Sequence, residues 1–167
     1  MLIPFLIGLI LIAGLDQLAK VFAVMHLTKS STVPLIRDVF HLTYCENPGA
    51  GFGIFAGFTW LLSLFTAVVV GAVVVYMITK RPKHPALITA LTFLTGGAVG
   101  NLIDRVRLGY VVDFLDFRLI NFPIFNVADC FVTVGAVILA VYIIFFSEKD
   151  GNKKEYTHGN HESKERR

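Results

Sequence analysis

Charge is scarce in this chain, and what there is of it is unevenly spread. Only 16% of the 167 residues are Asp, Glu, Lys or Arg, against 55% hydrophobic, and the mean hydropathy is +0.69. That is far more apolar than a soluble domain of average composition, which excludes a water-soluble globule and leaves an integral membrane protein. Cysteine is nearly absent: Cys45 and Cys130 form neither a metal-ligand spacing nor a disulfide framework, so both read as packing residues. No internal repeat or low-complexity tract is present. The net charge of +3 is small and sits mostly in Lys80, Arg81, Lys83 and the C-terminal tail. It reads as a membrane orientation signal and excludes the basic footprint of a nucleic-acid binder.

Where charge is missing altogether, the chain is long enough to cross a bilayer. Gly57 to Thr79 has no charged residue and matches the length a helix needs for roughly 30 Å of hydrocarbon. After the basic break from Lys80 to His84, Pro85 to Ile103 is again free of charge, and Asn126 to Phe146 is broken only by Asp129. Leu2 to Met25 is apolar except for Asp16, Gln17 and Lys20. It lacks the basic leader and uninterrupted core of a removable signal peptide, so it reads as a permanent first span. The expectation is an all-α membrane protein with four transmembrane helices at about 2–25, 57–79, 85–104 and 126–146. They form one domain over 1–147, followed by a polar tail over 148–167 with the composition of a disordered segment.

Between the first two spans, Phe40, Leu42 and Tyr44 alternate with His41, Thr43 and Cys45, the period of a half-buried strand, with Thr32 to Leu35 as a partner. A small sheet on the membrane surface follows, ending in the turn-forming run Asn47, Pro48, Gly49, Ala50, Gly51. Four spans place both termini on one side. Lys80, Arg81, Lys83 and the tail's Lys149, Lys153 and Lys154 favour that side as the cytoplasm, against Lys29, Arg37, Arg105, Arg107 and Arg118 on the other.

Most polar membrane residues gather at that other side. Asp16 lies about 14 residues into the first span, roughly 21 Å at 1.5 Å per residue. Glu46 and Asn47 precede the second span, Asn101, Asp104 and Arg105 end the third, and Asp113, Asn126 and Asp129 precede or open the fourth. Ionisable groups at membrane depth pair or work, and each of these has a structural use beside the functional one. Asp16 and Lys20 have the spacing of a helical ion pair. Gly96 and Gly100 have the small-xxx-small spacing of close helix packing. Asp104 and Arg105 serve as a helix-end clamp, or Arg105 holds an acidic group. Asn126 and Asp129 have the spacing of a capping pair. Asp113, in the apolar run Val111 to Leu115 on a connection at the membrane surface, is a desolvated carboxylate with a raised pKa, and Asp116 competes with it. Two carboxyls held close share a proton, one activating water as a base while the other polarises a carbonyl. The geometry is open to such a pair, with Asp129 fixed on a helix and Asp113 on a connection that can fold over it, and with Asp116 as the competing partner.

Five segments then resemble, in order, the motif blocks of bacterial lipoprotein signal peptidase, signal peptidase II. They are Asp16 to Lys20, Asn47 to Phe52, Gly96 to Arg105, Val111 to Phe114 and Phe125 to Asp129. The resemblance implies an aspartic endopeptidase of the bacterial inner or cytoplasmic membrane. Such an enzyme removes the signal peptide of a prolipoprotein just before its diacylglyceryl-modified cysteine, with no cofactor and no metal. It places the dyad on Asp113 and Asp129, puts Asn47, Gly49, Asn101, Arg105 and Asn126 around substrate and dyad, and gives Asp16, Lys20 and Asp104 a structural part. It also implies an extracytoplasmic sheet, a surface helix, and a monomer with membrane lipids and the prolipoprotein as partners. Gly51 stands where the family commonly has alanine. The rival classes are a small ion or proton transporter using Asp16, Lys20, Asp104 and Asp129, and a scaffold whose acids only pair with arginines.

Overall fold

A computed structural model describes residues 1–27, 32–49 and 57–146. Four helices are long and apolar enough to cross a membrane: α1 (Leu2–His26), α2 (Thr59–Lys80), α3 (Pro85–Leu108) and α4 (Val127–Phe145). Three strands, β1 (Thr32–Ile36), β2 (Phe40–Asn47) and β3 (Val111–Phe117), form one antiparallel sheet in the order β1-β2-β3. By connectivity the sheet lies beyond the ends of α1 and α3 and before the start of α4. Beside the four long helices, the described residues hold one 3₁₀ turn, Arg118–Ile120. The expected disordered tail, and the loop from residue 50 to 56 with Gly51, lie outside the described residues.

The middle helix is α3, which packs against α1, α2 and α4. Its small residues make this possible. A side chain at Gly96 would meet Ile12 Cβ at 2.8 Å, and one at Gly100 would meet Asp16 Oδ2 at 2.6 Å, both on α1. A side chain at Gly97 would run into the carbonyl of Ala128 on α4. The small-xxx-small pair is therefore a packing seam against α1, with Gly97 serving the neighbouring seam. The helix starts on Pro85, whose missing N–H costs nothing in the first turn, and stops at Gly109, whose φ of 81° takes the left-handed cap. It runs past the expected end near 104 to Leu108 because Arg105 and Arg107 suit the negative end of the helix dipole.

The outer helices keep apolar faces that none of the other described residues covers. On α2 only Met77 is buried, while Trp60, Phe65, Val68 and Ile78 face outward. In a bilayer such a face is solvated by lipid. One apolar core, Phe5, Met77, Leu87 and Leu91, ties α1, α2 and α3 together. A second, Ala23, Leu27 and Phe114, ties α1 to the sheet.

Val111 to Phe117 is not a loose connection, as expected from the sequence, but the third strand. It is hydrogen-bonded along β2 on one side and to Phe125 on the other, where the amides of Phe114 and Leu115 donate to the Phe125 carbonyl. The β2–β3 register shifts by one residue between Leu42 and Cys45, where Thr43 and Tyr44 together oppose Phe114. A bulge of this kind re-aims the side chains beyond it. Before it, His41 and Thr43 lie on the face of Asp116; after it, Cys45 and Asn47 lie on the face of Asp113.

Candidate active site

The start of α4 is built by a reciprocal cap. The Asn126 side chain accepts from the amide of Asp129 at 3.0 Å, and the Asp129 carboxylate accepts from the amide of Asn126 at 3.1 Å. The sequence spacing that suggested a capping pair is thus used for one. Asn126 does more. Its Nδ2 donates to Asp113 Oδ1 at 2.6 Å, so a single buried side chain touches both aspartates.

Each carboxylate oxygen of the pair has its own donor. Asp113 Oδ2 accepts from Asn47 at 2.9 Å, the contact the β2 bulge makes available. Asp129 Oδ1 accepts from Asn101 Nδ2 at 2.8 Å. Asn101 is itself oriented: Lys20 Nζ, which can only donate, reaches its Oδ1 at 2.8 Å, so its amide NH₂ must face Asp129. Asn47 is set by its neighbour, whose Gly49 amide donates to Asn47 Oδ1 at 3.0 Å. Arg105 donates from Nη2 to the Gly49 carbonyl at 3.2 Å, while its buried Nε has no partner among the described residues.

A cavity of about 520 Å³ opens onto these groups. Asn47, Asn101, Arg105, Asp113 and Asp129 line its polar part, and Phe122, Ile124, Phe125 and Val134 supply the apolar wall. Asp113 is 2% exposed. Burial, with the negative charge of Asp129 adding to it, pushes its pKa from 3.8 up to about 6, against the opposing pull of the Asn47 and Asn126 hydrogen bonds.

Asp116 is absent from this cavity. Three positions from Asp113 on a strand, it points to the opposite face. There it accepts from Arg118 Nε at 2.8 Å and Thr43 Oγ1 at 2.7 Å. Partial burial raises its pKa, but these two hydrogen bonds and the Arg118 charge outweigh that and hold it below the usual carboxylate value.

Asp16, Lys20 and Asp104 lie behind the site. Lys20 bridges Asp16 at 2.8 Å and Asp104 at 3.0 Å, all three side chains nearly inaccessible. The ion pair read from spacing is present, but as part of a larger brace. Asp16 Oδ1 accepts from the amide of Ala128 in the first turn of α4, where the helix dipole favours a carboxylate. Asp104 Oδ2 accepts from the amide of Val112, next to Asp113. Asp104 thus clamps to α1 and β3, not to its neighbour Arg105. Gln17, to which the sequence assigned no part, donates to Asp104 and to the Gly100 carbonyl. Cys130, expected to be packing, is exposed and lines the cavity because it follows Asp129 on the first turn of α4. Among the described residues no group of three or more His, Cys, Asp or Glu side chains is placed to hold a metal ion.

Comparison with known proteins agrees with this architecture. Residues 8–145 match the family model described as signal peptidase (SPase) II. The chain is 43% identical over 145 residues to a lipoprotein signal peptidase of Clostridioides difficile (strain 630), covering 87% of this chain and 97% of that one. It is 47% identical over 146 residues to one from Brevibacillus brevis, again covering 87% and 97%. A bacterial membrane enzyme solved by the in meso method superposes with a TM-score of 0.79 at 28% identity, over 84% of this chain and 87% of that one. With a family model spanning all four helices and relatives this similar over nearly their whole length, the chain belongs to the signal peptidase II family.

Proposed function

We propose that the chain is a membrane aspartic endopeptidase that removes the signal peptide from diacylglyceryl-modified prolipoproteins, cutting just before the lipidated cysteine. The observation that carries this reading is Asn126. One fully buried side chain bonds the Asp113 carboxylate and the backbone amide of Asp129, and both aspartates line one largely apolar cavity.

The chemistry follows from the two environments. Asp129, at the positive end of α4, serves as the base. Asp113, whose pKa is raised to about 6, serves as the acid. Water between them loses a proton to Asp129 as its oxygen attacks the scissile carbonyl, and Asp113 protonates the carbonyl oxygen to give a neutral diol. The proton on Asp129 passes to the amide nitrogen as the C–N bond breaks, and the diol returns its proton to Asp113. The pair titrates jointly, so the assignment describes one microstate of a shared proton. Arg105, which lines the cavity and whose Nε has no partner among the described residues, positions the substrate backbone by donating to a peptide carbonyl. The apolar wall of Phe122, Ile124, Phe125 and Val134 takes the lipid-bearing side of the substrate. In this reading both termini are cytoplasmic and the sheet and cavity lie at the outer face of the bacterial cytoplasmic membrane. The enzyme works as a monomer without a cofactor.

The test is incubation of the full chain in detergent with a prolipoprotein carrying the diacylglyceryl group and with the same precursor lacking it. Mass spectrometry should find a new N-terminal lipidated cysteine from the first and little cleavage of the second. Equal cleavage of both, or a cut elsewhere, contradicts the proposal.

A further inference from the structure

The two ends of the helical bundle differ in charge. No Asp or Glu stands in residues 1–15, 57–103 or 130–146. Those segments supply the start of α1, all of α2, most of α3 and the end of α4. At this end the chain carries Lys80, Arg81, Lys83 and His84. A second cavity, about 510 Å³, lies here between the start of α1 and the end of α2.

Its walls divide by chemistry. Leu2, Ile3, Met77 and Ile78 are its apolar lining, and Arg81 and Lys83 its basic lining. Ile3 and Ile78 are also exposed on the outer surface, so the apolar wall is continuous with the face that meets hydrocarbon. Arg81 closes α2 with a φ of 46° in the left-handed region. The chain turns sharply there, which brings Lys83 back over the same opening as Arg81. Both basic side chains are exposed, and neither forms an ion pair with another described residue.

We infer that this groove seats an anionic phospholipid of the adjacent leaflet, Arg81 and Lys83 taking the headgroup phosphate and Ile3 and Ile78 an acyl chain. Two cations over an apolar wall match a lipid with a phosphate above hydrocarbon, and basic pockets between membrane helices recognise such headgroups. Among the described residues no carboxylate lines the groove to hold an ammonium, so a headgroup of net negative charge is preferred to a zwitterionic one. The tail that begins at residue 147 is the other candidate occupant; it follows Phe146, whose ring lies tilted against that of His84 with centroids 5.0 Å apart. Its six Lys and Arg against five Asp and Glu give it the wrong sign.

The test is native mass spectrometry of the full chain in detergent, titrated separately with phosphatidylglycerol and phosphatidylcholine. Wild type should retain phosphatidylglycerol preferentially, and the double variant Arg81→Gln/Lys83→Gln should bind it about 30-fold more weakly. The charge-matched variant Arg37→Gln/Arg107→Gln, altered at the opposite end, should bind like wild type. Unchanged affinity in the first variant, or equal loss in both, overturns the site. Displacement of the lipid by millimolar inorganic phosphate would make it an ion site, and tighter lipid binding after removal of 147–167 would make the tail its occupant. A thermal melt of each variant checks that it is folded.

Discussion

The Asn126 side chain holds the Asp113 carboxylate and the backbone amide of Asp129, so its loss should be felt in both stability and rate. Asn126→Ala removes the cap of α4, costing about 1 kcal/mol, and releases Asp113. The expected outcome is a lowered melting temperature together with a kcat reduced well beyond what the remaining folded fraction explains. Asp113 makes a separate pH prediction. Its folded pKa lies above its unfolded one, 3.8 against about 6. The protonated form is therefore the one folding favours, and this group's contribution to stability is full below 3.8 and is lost as pH rises towards 6. Melting of wild type and Asp113→Asn across that window should show the fall only in wild type. As the acid of the reaction, Asp113 should also give kcat/KM a descending limb above about 6. Asp116→Asn, by contrast, should leave the rate within about twofold, since its partners are Arg118 and Thr43 on the other face. Sequence alone left Asp113 and Asp116 open because both stand in the same apolar run. Strand parity separates them, and parity was hidden until the run was known to be a strand.

The spans were legible because uninterrupted apolar length has few other meanings, and β2 because polar and apolar residues alternate there, with β1 read only as its partner. β3 was not. Val111 to Phe117 carries an aspartate on each of its two faces, so no period of two shows, and its partners lie some 70 residues earlier in the chain. The β2 bulge was invisible for a related reason: it is a property of the pairing, not of either strand. The glycines of α3 were readable as a seam, though not which helix each would meet. Gly100→Ala places a methyl group against Asp16 Oδ2. Overpacking of this kind costs typically about 1–3 kcal/mol, and here it also pushes on the carboxylate that holds the first turn of α4. A melting curve and an activity measurement should fall together.

For the molecule as a whole, the described acids lie at one end of the bundle or in the sheet beyond it. This is the arrangement of a site at a membrane face, and it leaves α2 without the ionisable steps that a relay through the bilayer requires. The convergence was readable from span order before any coordinates. The brace behind it, Lys20 between Asp16, Asp104 and Asn101, was readable only as one ion pair. Lys20→Met strands two buried carboxylates, a change that costs roughly 3–5 kcal/mol for a buried pair, and it frees Asn101 from its orientation. Reduced yield of folded protein and weaker cleavage by what remains are expected. The central claim is that Asp113 and Asp129 act together on one water. It is tested most directly by the cleavage rate of a diacylglyceryl-modified prolipoprotein with purified wild type, Asp113→Asn and Asp129→Asn, each shown to be folded by its melting curve. Either substitution should lower kcat by at least about 10²-fold; near-normal turnover by either folded variant would contradict the dyad.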